Sequence, residues 1–121
     1  MEYRNLGKSG LKVSEIGLGT NTFGGKADEA TSINIINQAL ELGINFIDTA
    51  DMYTRGRSEE IIGKAVKGKR SQAIIATKFG HPASVGPEER GASRHHMMKA
   101  VEASLKRLQT DYIDLYYIHY P

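Results

Sequence analysis

Four residues combine types and positions suited to proton and charge chemistry: Asp48, Tyr53, Lys78 and His119. Asp48 ends the run Ile44 to Ile47, and Tyr53 follows five residues later. Lys78 ends the run Ala73 to Thr77, and His119 ends the run Ile113 to Ile118. A charge at the tip of a buried strand is costly unless paired, so Asp48 needs a cation or several donors close by. An ammonium beside a phenol favours the phenolate and draws tyrosine down from its ordinary value of about 10. A tyrosine tuned toward neutral pH works as a general acid, and an imidazole can donate to a substrate carbonyl and orient it. Such a set protonates an oxygen while hydride reaches the neighbouring carbon. No side chain supplies hydride, which implies a nicotinamide cofactor. Each residue also has a structural alternative. Asp48 and Lys78 could form a plain ion pair, Tyr53 could lie on the surface, and His119 could be a core histidine bonded to backbone. Three polar tips on strands of matching parity favour the chemical set.

The elements that would position these residues follow from the pattern. Tyr3 to Leu6 and Leu11 to Val13 flank the turn Gly7-Lys8-Ser9-Gly10 and predict a β-hairpin. Short apolar runs predict strands over 16–19, 44–47, 73–77 and 113–118. Helical spacing predicts helices over 29–42, capped by Asp28 and stopped at Gly43, over 58–66, capped by Ser58, and over 93–108, capped by Ser93. Residues 79–92, rich in Gly, Pro and Ser, read as a mobile loop. Strand alternation puts Ile44, Phe46 and Asp48 on one face. The same parity groups Ile74, Ala76 and Lys78, and then Ile113, Leu115, Tyr117 and His119. A hairpin followed by β-α-β-α-β-α-β implies an α/β fold with a parallel sheet and right-handed crossovers. Polar residues at the C-terminal ends of consecutive strands favour a (β/α)8 barrel over a doubly wound sheet.

Composition bounds the function classes. With 40% hydrophobic and 25% charged residues, the 121-residue chain fits one soluble domain over 1–121. It has no cysteine, which excludes thiolate metal sites and disulfides. A formal net charge of +2 gives no reason to expect nucleic acid. No apolar stretch approaches the ~20 residues of a membrane span, and the first residues lack a signal-peptide core, so a cytoplasmic protein is expected. Gly17-x-Gly19 lacks the third glycine of a dinucleotide fingerprint. His95 and His96 point to different sides of a helix, so surface positions and no metal site are expected. Lys64, Lys67, Lys69 and Arg70 read as charges complementing a helix C-terminus. Arg107 and Asp114 read as an ion pair between the third helix and the fourth strand.

The order of motifs resembles the aldo-keto reductase family, in its branch near the potassium-channel β subunits and bacterial oxidoreductases. The resemblance rests on Ile16-Gly-Leu-Gly-Thr20 with Phe23-Gly-Gly25, and on Gly43-Ile-Asn-Phe-Ile-Asp-Thr-Ala-Asp-Met-Tyr53. It continues in Gly56-Arg-Ser-Glu-Glu-Ile-Ile-Gly63, Ala76-Thr-Lys-Phe79, Ser104-Leu-Lys-Arg-Leu108 and Asp111-Tyr-Ile-Asp-Leu-Tyr-Tyr-Ile-His119. It implies reduction of aldehydes or ketones to alcohols with NADPH, with Asp48, Tyr53, Lys78 and His119 as the catalytic set and Tyr53 as the acid. It implies cofactor contacts from Thr20, Asn21 and Asp48. Asn21 departs from the large aromatic residue common there in relatives, which bears on the substrate pocket.

A (β/α)8 barrel typically takes ~250 residues, so the chain is expected to be its first half. In the family the later strands stack on the nicotinamide and hold the adenosine phosphate. Open sheet edges and an uncovered inner face invite association. One expectation is a head-to-tail homodimer that closes eight parallel strands; another is an inactive half-barrel fragment. A third outcome is a cofactor-sensing or assembly subunit that keeps the catalytic residues without turnover. A small carbonyl compound is the expected substrate.

Overall fold

The structure, a computed structural model, describes residues 1–82 and 91–120. Two short antiparallel strands, β1 (Tyr3–Asn5) and β2 (Lys12–Ser14), form the hairpin. A four-stranded parallel sheet follows in the order β3-β4-β5-β6. Its strands are β3 (Gly17–Gly19), β4 (Phe46–Asp48), β5 (Ile74–Phe79) and β6 (Leu115–Ile118). Helices α1 (Glu29–Glu41), α2 (Arg57–Ala65) and α3 (Arg94–Leu108) connect successive strands. No described helix is long and apolar enough to cross a membrane.

Helices α1 and α3 start where the capping residues stand. The Asp28 carboxylate accepts the Thr31 N–H at 2.8 Å, and the Ser93 hydroxyl accepts the His96 N–H at 3.1 Å. Gly43 leaves α1 with φ +90°, the left-handed conformation that favours glycine. Helix α2 departs from expectation. Its cap is Gly56, and Ser58 lies inside the helix, fully buried. Thr54 takes over the capping hydrogen bond, accepting the Ser58 N–H at 3.1 Å.

The core lies between the helices and one face of the sheet. Ile47 and Ile75 pack there with Ile36, Ile61, Ile62, Val66 and Leu108. Because strand side chains alternate, Phe46, Asp48, Ile74, Ala76 and Lys78 point to the opposite face. The expected parity therefore stands for β4 and β5. It fails at the start of the last strand, where Ile113 packs on the helix-side core. The carboxylate of Asp114 accepts the Ile75 N–H at 2.9 Å. That interaction takes the place of a ladder bond, so β6 begins only at Leu115.

Close approach explains one glycine in particular. A Cβ on Gly63 would lie 2.7 Å from the carbonyl oxygens of Arg107 and Leu108, so α2 and α3 touch through bare backbone. Two ion pairs replace the expected Arg107–Asp114 contact. Arg107 Nε donates to Glu59 at 2.6 Å, and Arg70 donates to Asp114 at 2.9 Å. Arg70 also donates to the carbonyls of Ala73 and Tyr112, while Lys64 binds Glu29 and Lys69 binds Asn37. Of the basic cluster, Lys64, Lys69 and Arg70 thus make separate tethers, while Lys64 and Lys67 stay exposed near the end of α2. The hairpin is tied to the sheet by Asn45, whose side chain accepts from Ser14 N and donates to Lys12 O. Residues 83–90 of the segment read as a loop lie outside the described residues, and Phe79 belongs to β5 rather than to that segment.

Candidate functional site

The C-terminal ends of β4 and β5 bring Asp48 and Lys78 together. Register pairs Asp48 with Ala76, so Lys78 stands two residues further along on the same face. The Lys78 ammonium donates to both Asp48 carboxylate oxygens at 2.9 Å and to the Thr49 carbonyl at 2.7 Å. Lys78 is the penultimate residue of β5 rather than a residue past its end, and it pairs with Tyr117 across the sheet.

Tyr53 reaches this pair from a turn with unusual backbone. Thr54 and Arg55 have φ +47° and +55°, and Gly56 follows at +89°. A left-handed non-glycine residue costs roughly 1–2 kcal/mol, and such strain persists only where the surroundings over-determine it. Here the Thr54 hydroxyl holds the turn, with one proton shared between the carbonyls of Phe23 at 2.6 Å and Tyr53 at 2.7 Å. The turn sets the Tyr53 ring with its centroid 4.9 Å from Lys78 Nζ.

His119 follows β6, held by its N–H to the Phe79 carbonyl at 2.8 Å. Its ring meets Tyr53 edge-on with centroids 6.0 Å apart. Burial holds His119 below the usual histidine value, with repulsion from His81 and Lys78 adding to it and Asp48 opposing. The imidazole is therefore neutral at pH 7 and offers one N–H. Asp48, Tyr53, Lys78 and His119 thus share one mouth, with an ammonium between a carboxylate and a phenol ring and a neutral imidazole at the edge.

Thr20 and Asn21 lie beside it differently. Asn21 is exposed in the turn after β3. Thr20 is fully buried, and its hydroxyl donates to the Asp48 carbonyl at 2.8 Å. Having one proton, it must accept from Ser58 Oγ at 2.7 Å, and Ser58 must then accept from Thr49 Oγ1 at 2.8 Å. This one-directional chain of buried hydroxyls fixes the backbone of Asp48 and Thr49, the two residues that hold Lys78. From the sequence Ser58 reads only as a helix cap and Thr49 has no role, because no local pattern reveals a hydroxyl chain across three elements.

His81 was missed too. It meets the His119 ring edge-on at 4.6 Å. Gly80, at φ +83°, breaks the strand alternation just before it, so parity could not find it. The adjacent pair on α3 also differs from expectation. His95 is exposed, but His96 is buried against the Phe79 ring at 5.7 Å.

Known proteins resemble this chain in sequence and in fold. The family model described as aldo/keto reductase family matches residues 15–121. The aldo-keto reductase YhdN of Bacillus subtilis is 50% identical over all of this chain and 38% of its own length. A "Probable voltage-gated potassium channel subunit beta" from Arabidopsis thaliana is 44% identical over all of this chain and 38% of its own. The holo form of aldo-keto reductase AKR11C1 from Bacillus halodurans superposes with a TM-score of 0.84 at 47% identity, covering 96% of this chain and 39% of that one. The chain spans less than half the length of these relatives.

Proposed function

The chain belongs to the aldo/keto reductase family, and we propose that it carries the catalytic wall of a reductase that converts aldehydes or ketones to alcohols with NADPH. Its hairpin, four parallel strands and three helices are the first half of a (β/α)8 barrel. The observation that carries the proposal is the placement of Lys78 Nζ between the Asp48 carboxylate and the Tyr53 ring, with His119 at the edge.

NADPH, when bound, supplies the hydride. Its fit to this chain rests on the open inner face over the strand ends. Gly19 lies there beside Asp48, and a Cβ on it would meet nothing within 4 Å. Asp48 and Asn21 would hold the cofactor through side chains, and Thr20 through its backbone, since its hydroxyl is already engaged.

The chain's own residues would act as follows. Neutral His119 donates to the substrate carbonyl oxygen and orients it. Tyr53 gives its phenolic proton to that oxygen as charge builds there. Lys78 stabilises the negative charge left on the phenol, and Asp48 keeps the ammonium in place.

A second reading is favoured by the 44% identity to the plant channel subunit: a cofactor-sensing or assembly subunit that keeps these residues without turnover. For the isolated chain we also propose pairing of two copies through the edges of β3 and β6, which sedimentation would detect.

Steady-state NADPH oxidation with a panel of aldehydes and ketones tests the main proposal in a complete barrel. Tyr53→Phe removes the proton donor and little else, and turnover should fall at least about 100-fold. Turnover within tenfold of the parent rejects Tyr53 as the acid, and robust turnover with no partner counts against the second reading.

A further inference from the structure

Histidines at functional sites usually owe their orientation to a hydrogen bond from the second ring nitrogen. His119 lacks that bond: its Nδ1 is buried and has no hydrogen-bond partner among the described residues. Aromatic rings pack around His119. His81 meets His119 edge-on, with centroids 4.6 Å apart and planes at 76°. Tyr120 stacks on it at 5.6 Å and 9°. His81 and Tyr120 also meet each other at 5.0 Å, so the three rings close into a cluster. Tyr53 meets the His119 ring edge-on, with centroids 6.0 Å apart.

Two backbone features build this arrangement. The His119 N–H is anchored on Phe79 O at 2.8 Å. Gly80 then turns the chain with φ +83°, and a Cβ there would lie 2.8 Å from the Gly91 carbonyl. A non-glycine residue at 80 would meet both strain and a clash, so the turn that brings His81 back to His119 depends on glycine.

An orphaned buried N–H is rarer than an under-used acceptor. The unpartnered Nδ1 is thus the bare nitrogen, and the proton sits on Nε2. We propose that His81, together with Tyr120, holds His119 by ring packing in its Nε2–H form, which makes His81 a positioning residue for carbonyl reduction. The role in reduction rests on the function proposed above; the ring packing itself does not.

The groups facing His119 are His81, Lys78 and Asp48, with the phenols of Tyr53 and Tyr120. Lys78 and Asp48 bind each other, which leaves His81 as the neighbour whose loss changes both packing and charge around the ring. Burial and repulsion from His81 both push His119 down. Removing the ring at 81 relieves both, and replacing it by phenylalanine relieves only the repulsion.

Imidazole 15N resonances of His119, followed against pH in the chain itself, test this without any need for turnover. The parent chain should show the Nε2–H form. His81→Ala should mix the two tautomers and raise the His119 midpoint. His81→Phe should keep the Nε2–H form and raise the midpoint less. The amide spectrum reports whether each variant is folded, and the phenylalanine variant keeps the ring contacts if the alanine one loosens. An Nδ1–H form in the parent, or an unchanged tautomer and midpoint in His81→Ala, overturns the proposal. Loss of the NADPH assay would overturn the function and leave this result standing.

Discussion

The ammonium of Lys78 sits 2.9 Å from both carboxylate oxygens of Asp48, while the Asp48 side chain keeps 39% of its surface exposed and Lys78 only 14%. Water can therefore solvate Asp48 if the ammonium is lost, and the pair does little for stability compared with a sealed one. Lys78→Met should lower the unfolding free energy by only about 1 kcal/mol. In a complete barrel it should lower turnover about 100-fold or more, since the charge that stabilises the phenolate is gone. Urea unfolding and NADPH oxidation, run side by side, separate the two effects. A large stability loss with normal turnover would reduce Asp48–Lys78 to a structural ion pair.

Glu59 presents the opposite balance. Its side chain is fully buried, with one oxygen accepting from Arg107 Nε at 2.6 Å and the other from the Thr77 hydroxyl at 2.6 Å. Arg107→Met leaves that carboxylate buried without a cation, a change that typically costs about 3–5 kcal/mol. Partial exposure of Arg107, at 28%, places the expectation near the lower figure, about 3 kcal/mol. Glu59→Gln in the same background should recover part of the loss, because it removes the stranded charge. Urea midpoints of the parent, single and double variants measure both; a single variant within 1 kcal/mol of the parent would show that water reaches Glu59.

Tyr116 carries a buried hydroxyl with no hydrogen-bond partner among the described residues. Its ring stacks on Phe79 at 5.0 Å and 15°, which phenylalanine would preserve. Tyr116→Phe should raise the unfolding free energy by about 1 kcal/mol at pH 7, the desolvation cost of an unmade bond. Burial, then the carboxylates of Asp51 and Glu59, push this phenol above its usual range, with Arg107 opposing. A raised folded value means that stability is intact below about pH 10 and declines as pH rises through it. That alkaline decline should shrink in Tyr116→Phe. Denaturant titrations at pH 7 and above 10 give both numbers, and destabilisation at pH 7 would show that the hydroxyl has a partner after all.

Period-two alternation is local, which is why the sequence by itself determined that Asp48 and Lys78 share a face opposite Ile47 and Ile75. Caps are equally local, so Asp28 and Ser93 mark the starts of α1 and α3 in both views. The alternation of strands and helices likewise determined a parallel sheet, because short connections leave few other topologies. What only the tertiary structure decided lies between elements. Glu59 is sealed against Arg107 only where α2 and α3 meet at Gly63. Arg107 and Asp114 exchange expected partners for Glu59 and Arg70, 48 and 44 residues away. Ser58 turns from a cap into the middle of a hydroxyl chain because Thr54, strained into the left-handed region, caps in its place. His81 reaches His119 only through the turn at Gly80. Each of these contacts depends on the offset at which two packed elements meet. Side-chain periodicity within one element carries no record of that offset.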